Sequence, residues 1–443
     1  MSRPRRRTHR TTIAAAVVVA LVQSLSIASA RAAISLTPID RVSDPSSWTV
    51  GNALARSSSF LHAVWASDCP PPAGACATDR GPYVGVFWRR AAIATPPDWR
   101  QTKRISPRGA HATRPAVAAA DGHVYVAWAT QKSYLKYRPA DPRRLWIRVA
   151  GAQGATWSAP VALTGPGSRV DYPVVAASGD AVWVVWTNAD SGAIRMAASS
   201  DAGAHWTTTT IGTTTSKRGT EGFAGYPAIG ASGANVVAAW FATPGGKQVA
   251  LTSSAGGSDW SSSSNPVTLV GRSPNDGNRY PVVRGADDGA SDRVAVGYTT
   301  STAVVAQVWD GATLGSPLQV DGPWPVSEGG RRWTGAYGVA AMPVGGDGVA
   351  VTWAACRQRR GGREACRPGA PDARIDIAYR ETSDGGNSWS TRRLLARAGR
   401  STSVNEAPSI VAEGNAGPRW FTWLSRTPRW STYRVEGRAA TST

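Results

Sequence analysis

The residues best able to do chemistry stand just ahead of short apolar segments that recur along the chain. They are Arg169 and Asp171, Glu221, Arg279 with Tyr280, Arg331 with Arg332 and Trp333, and Asn405 with Glu406. A guanidinium presents a planar fork that holds a carboxylate through two parallel hydrogen bonds, so arginines in these places suit an anionic ligand. Two carboxyls across a cleft suit glycoside hydrolysis. Tyrosine and tryptophan offer an apolar face with a polar tip. Acids pooled about one point among arginines favour catalysis, whereas dispersed acids with exposed aromatics favour binding.

The segments that must position these residues are seen most clearly from Asp171 to Trp206. Two apolar strands, 173–177 and 182–186, meet at the turn Ser178-Gly179-Asp180; a third, 194–198, runs into a polar turn, and a threonine-rich fourth follows. An aromatic closes the second strand of each copy: Trp65, Trp128, Trp186, Trp240, Tyr298, Trp353 and Trp423. A proline precedes it by the same 13 residues three times, at Pro115, Pro173 and Pro227. Seven four-stranded units predict an all-β, seven-bladed β-propeller, with a six-bladed ring as the alternative. The last unit has room for a single strand after Trp423, so Ala33–Val42 is expected to complete it and close the ring. Residues 33–437 then form one propeller domain, followed by a tail at 438–443. Loops that lead into first strands and loops that join second to third strands share one end of such a ring. That end is where sequence variation over an apolar frame carries binding.

The N-terminus has a basic head (Arg3, Arg5, Arg6, Arg7, Arg10), an apolar run from Ile13 to Val22 and the small-residue site Ala28-Ser29-Ala30. Residues 1–30 therefore read as a secretory signal peptide, and the mature chain as secreted, extracellular and without a membrane span. The formal charge of +20, less the six arginines among residues 1–31, is still about +14. Only five of the 49 basic residues are lysine, and they are scattered rather than striped, so no nucleic-acid partner is implied. The four cysteines fall in two local pairs, Cys69 with Cys76 and Cys356 with Cys366. Units one and six are separated by a blade, so two local disulfides are expected. No cofactor and no metal site is implied, since no histidine or third thiol accompanies the pairs.

Ser199-Ser-Asp201-Ala-Gly203-Ala-His-Trp206 resembles the Asp-box of sialidase-like (BNR-repeat) propellers, and Thr382-Ser-Asp384-Gly-Gly386-Asn-Ser-Trp389 matches it with threonine for serine. Ser253–Trp260 keeps the glycine and tryptophan but has Ala255 in the aspartate position. The resemblance implies a structural role for Asp201, Gly203, Trp206, Asp384, Gly386 and Trp389, with the aspartate capping turn amides on the face away from the ligand. It further implies an arginine cluster for a substrate carboxylate, a tyrosine nucleophile with a glutamate, and an aspartate acid/base. The family's first-blade F-R-I-P motif is absent from unit one, and the nearest match is Arg279-Tyr280-Pro281 in unit five. Three functions follow as expectations. The first is a propeller that recognises glycans, an acidic sugar among them, or cell-surface ligands. The second is an exo-sialidase-type glycoside hydrolase. The third is a structural exported protein without a small ligand.

Overall fold

The computed structural model describes residues 34–43, 49–67, 84–94, 96–100, 102–109, 111–120, 122–131, 143–215, 224–242, 248–253, 255–258, 260, 267–270, 281–286, 292–300, 302–328, 331–357, 374–398, 404–412, 417–426 and 433–442. The residues read as a signal peptide lie outside this set. The described residues form seven antiparallel four-stranded blades. Blade 1 has strands Thr49–Arg56, Phe60–Ser67, Gly85–Ala92 and Lys103–Arg104. Blade 2 runs from His111–Ala120 to Val161–Ala162, blade 3 from Val170–Ser178 to Thr207–Thr213, and blade 4 from Ala228–Ser232 to Val267–Val270. Blade 5 runs from Val282–Gly285 to Leu318–Asp321, and blade 6 from Arg331–Pro343 to Arg393–Ala396. Blade 7 has Val404–Ala412, Arg419–Arg426 and Tyr433–Ser442. Each first strand packs against that of the next blade, and the first strand of blade 7 packs against that of blade 1, so the ring is closed.

The N-terminal segment completes blade 7 as expected: Ile34–Leu36 pairs with Ala440–Ser442, and Asp40 and Arg41 pair with Gly437 and Glu436. The predicted tail is corrected by the same pairing. Tyr433–Ser442 is one continuous strand, because Arg419–Arg426 on one side and the N-terminal strand on the other satisfy its backbone through residue 441.

Seven core clusters, each built from two neighbouring blades, hold the described ring together. The aromatic that ends each second strand faces the preceding blade. Trp186 lies in the cluster of blades 2 and 3, Trp240 in that of blades 3 and 4, Trp423 in that of blades 6 and 7, and Trp65 in that of blades 7 and 1. All seven are nearly inaccessible to solvent. Second strands are covered on both sides, which is why they carry long apolar runs such as the VVAAWF that follows Asn235, buried throughout. The outer strand of blade 3 is largely exposed and is filled with threonine, whose branched side chain favours strand geometry without needing burial.

The constant 13-residue spacing has a geometric cause. Thr113 pairs with Ala129 and Ala116 with Ala127, which leaves Arg114 and Pro115 opposite the single residue Trp128, a β-bulge with one extra residue. Asp171 pairs with Thr187 and Val174 with Val185 around the same bulge at Tyr172-Pro173. In blade 4, Phe241 donates its N–H to Gly225 O and Ala228 pairs with Ala239, so Tyr226-Pro227 bulges alike. The tryptophan follows the partner of the first residue after the bulge, so the spacing fixes both.

Candidate functional site

The two ends of the ring differ in chemistry. One end carries the turns between third and fourth strands, where the Asp-boxes lie. In blade 3, Asp201 accepts hydrogen bonds from Ser199 Oγ at 2.7 Å, His205 N–H at 2.9 Å and the His205 ring at 2.6 Å. Gly203 N–H donates to Ser199 Oγ at 2.9 Å, and Trp206 Nε1–H to Gly203 O at 3.0 Å. Gly203 has φ +89°, and a Cβ there would stand 3.2 Å from Val149 of the neighbouring blade. Blade 6 repeats the arrangement: Asp384 accepts from Thr382 Oγ1 at 2.6 Å, Ser388 N–H at 2.9 Å and Ser388 Oγ at 2.5 Å. These bonds hold both carboxyls well below the usual carboxylate range. Trp206 and Trp389 pack on the clusters shared with blades 2 and 5. In blade 4 the serine carries the turn alone: Gly257 N–H donates to Ser253 Oγ at 2.8 Å, which is how the motif persists without its aspartate.

The other end carries the bulges, and there three side chains form a row across blades 2, 3 and 4. Arg114, Tyr172 and Tyr226 have φ of +53°, +49° and +46°, a region that costs non-glycine residues about 1–2 kcal/mol each. The proline after each restricts its backbone further. The fourth non-glycine residue of this kind among the described residues, Ala202, sits in the Asp-box turn. The Arg114 guanidinium lies 4.1 Å from the centroid of the Tyr172 ring, and the Tyr172 and Tyr226 centroids are 4.2 Å apart at 49°. Tyr226 meets Phe241 edge-on at 6.0 Å. All three are half-buried, so the row presents one side to solvent.

Beneath the row lies a charged anchor. Asp171 is 1 % exposed and forms ion pairs with Arg114 and with Arg143, the latter at 3.1 Å. Its carboxylate also accepts the Tyr172 N–H at 3.1 Å. These three ionised groups sum to one positive charge, and the carboxylate fixes the orientation of both guanidiniums. Arg169 pairs with Asp190 at 2.7 Å on the rim.

The sequence-predicted residues are distributed as follows. Asp171 is present at this end as a buried anchor of arginines, so it is not available as an acid facing substrate. Arg169 is committed to the rim ion pair. Trp333 is 2 % exposed and lies under Arg392, whose guanidinium is 4.8 Å from its ring and 2.6 Å from Asp321, so it is no exposed platform. The backbones of Arg331 and Arg332 pair with Glu328 and Ser327 in a hairpin leading into blade 6, and that of Glu406 pairs with Leu424. Glu221, Arg279 and Tyr280 lie outside the described residues, as do Cys69, Cys76 and Cys366. Cys356 is buried, and no described cysteine is free. Arg114 and Arg143 carry no signal in the sequence, and Tyr172 and Tyr226, each before a proline, read there as strand entries. The thrice-repeated tyrosine before proline was the available signal, since a bulky residue held at a bulge is costly.

Two other constellations look chemical and are enclosed. Ser57 Oγ lies 3.1 Å from His62 Nε2, but both are buried at the Asp-box end, and burial with nearby Arg90 pushes the imidazole down to about 3. Tyr379 donates to Glu381 at 2.5 Å, with Arg419 3.5 Å from the same carboxylate oxygen, between blades 6 and 7 and next to the Asp-box. Tyr379 is fully buried against Phe421, and its hydroxyl is pushed well above the usual range by burial and by Glu381. Among the described residues no group of three potential metal ligands occurs, and no helix is long and apolar enough to cross a membrane.

No protein-family model and no curated protein matches the chain. Solved structures do resemble it. An ulvan lyase of a polysaccharide lyase family superposes with a TM-score of 0.47 at 9 % identity, covering 89 % of this chain and 94 % of that one. A Hadza microbial sialidase gives 0.45 at 11 % identity over 88 % of this chain and 66 % of its own. Trypanosoma rangeli sialidase in complex with sialic acid gives 0.45 at 10 % identity over 91 % and 58 %. The chain thus spans less than two thirds of either sialidase. At these scores and identities the likenesses carry no further argument, and the seven-bladed ring rests on the chain's own strand pairing and closure.

Proposed function

We propose that this is an exported, glycan-recognising propeller that binds an acidic sugar at the bulge end of its ring. The observation that carries the reading is the row Arg114–Tyr172–Tyr226, held in a strained backbone conformation over the Asp171 anchor. Strain of this kind persists where the surroundings over-determine it, and it clusters at ligand sites. Sugar rings have apolar faces and polar edges, which matches half-buried tyrosines carrying hydroxyls. Arg114, oriented by Asp171 over buried Arg143, favours a carboxylate on that sugar. Binding is preferred to hydrolysis because Asp171, an acid that the sequence singled out at this end, is consumed by arginines. The cysteines belong to the same reading: two local disulfides, Cys69–Cys76 and Cys356–Cys366, suit an exported chain. The test is calorimetric titration of the mature chain with sialic acid and galacturonate, beside a fluorogenic sialoside assay. Saturable binding that is lost in Arg114→Gln, without turnover, supports the reading. Turnover, or binding unchanged in Arg114→Gln, contradicts it.

A further inference from the structure

The Asp-box end holds a cavity of about 480 Å³ between blades 1 and 2, a size suited to a small organic ligand. Its cationic lining comes from Arg90, at the end of the third strand of blade 1, and from Arg100 and Lys103, which lead into the fourth. Phe60 and Trp88 give it aromatic walls, and Gln153 in the turn of blade 2 closes the far side. Among the described residues no carboxylate lines it; Asp98 stands at the rim, 3.7 Å from Arg100, with both side chains largely exposed.

The cations are placed rather than merely present. Arg90 stacks on Phe60, 4.8 Å from its centroid, and donates to Gln153 O. Lys103 Nζ donates to Gly154 O and Ala155 O, each at 3.3 Å. The turn that supplies these carbonyls depends on Gly154, which has φ +57° and whose Cβ would stand 2.3 Å from the Trp88 ring. Trp88 is itself 2 % exposed, stacks on His62 and meets Trp157 edge-on at 5.4 Å. Its Nε1–H is buried with no hydrogen-bond partner among the described residues.

We propose that this cavity is a second binding site, for a sulfate or phosphate ester carried on a sugar-sized group, and that it is independent of the bulge-end row. Three cations with no lining carboxylate favour a compact oxyanion, and the aromatic walls favour the ring that carries it. The experiment is isothermal calorimetry on the mature chain with glucose 6-sulfate and glucose 6-phosphate as separate probes. It compares wild type, Arg100→Gln, the double variant Arg100→Gln/Lys103→Gln, and Tyr172→Gly. Arg100 is largely exposed, so its single variant retains the fold even if the double variant does not. The expected result is saturable binding of at least one ester, weakened roughly tenfold in Arg100→Gln and unchanged in Tyr172→Gly. The probe bound more tightly identifies the ester. Equal affinity in Arg100→Gln, or no saturable heat with either ester up to about 10 mM, overturns the proposal.

Discussion

Replacing Tyr172 or Tyr226 by glycine and, separately, by alanine divides backbone strain from ring packing, because both changes remove the same ring. Loss of the ring forfeits the Tyr172–Tyr226 contact at 4.2 Å, worth about 0.5–1.5 kcal/mol. At Tyr172 the Arg114 stack adds about 0.5–1 kcal/mol. All four variants should therefore be less stable than wild type by on the order of 1–3 kcal/mol. The informative quantity is the difference between the two substitutions. At an ordinary strand position glycine is about 0.5–1 kcal/mol less stable than alanine. At φ +49° and +46°, however, alanine keeps a penalty of about 1–2 kcal/mol that glycine escapes. Glycine should thus equal or exceed alanine by up to ~1.5 kcal/mol at both positions. Ala198→Gly, in the regular third strand of blade 3, serves as the control and should lose stability. Urea unfolding with a common slope measures all of these. If alanine is the better residue at 172 and 226 by the control's margin, the bulges are unstrained and the reasoning from strain to function fails.

Three further outcomes are expected. The Asp201 and Asp384 carboxyls are held well below the usual value of 3.8, so their stabilising effect is full above that value and declines as pH falls below it; Asp201→Asn/Asp384→Asn should melt lower at pH 6, with the gap to wild type narrowing steadily between about pH 4 and pH 2, and parallel curves would refute this. Asp171→Asn leaves two arginines without their shared carboxylate and should cost on the order of 3–5 kcal/mol in chemical denaturation, whereas a loss below ~1 kcal/mol would show that the anchor is not needed. A chain beginning at residue 43 exposes the edge of Tyr433–Ser442 and removes Val42, which is fully buried, so it should aggregate in light scattering; a stable monomer would contradict the closure of blade 7.

The scaffold was legible in the sequence because it rests on repeated local chemistry. Each closing aromatic must fill a gap between blades, and each serine–aspartate–glycine turn must satisfy its own amides, so both leave fixed spacings. The N-terminal strand was legible because the last unit lacked one. The site was less so. Asp171 reads as an exposed acid ahead of a strand, but the bulge turns it inward against two arginines from the preceding blade, one of them 57 residues earlier at Arg114. Trp333 reads as a platform but is covered by Arg392, which only the fold brings beside it. Tyr172 and Tyr226 read as a strand signature, since nothing local reveals that their φ is positive or that their rings meet across two blades.

The most direct measurement is an array of neutral and acidic glycans probed with the wild-type protein and with Tyr172→Gly/Tyr226→Gly, both shown by circular dichroism to be folded. The expected pattern is binding confined to acidic glycans, abolished in the double variant and in Arg114→Gln, and preserved in Asp201→Asn. Binding that survives loss of both tyrosines, or a wild-type chain that retains no glycan, would contradict recognition at the bulge end.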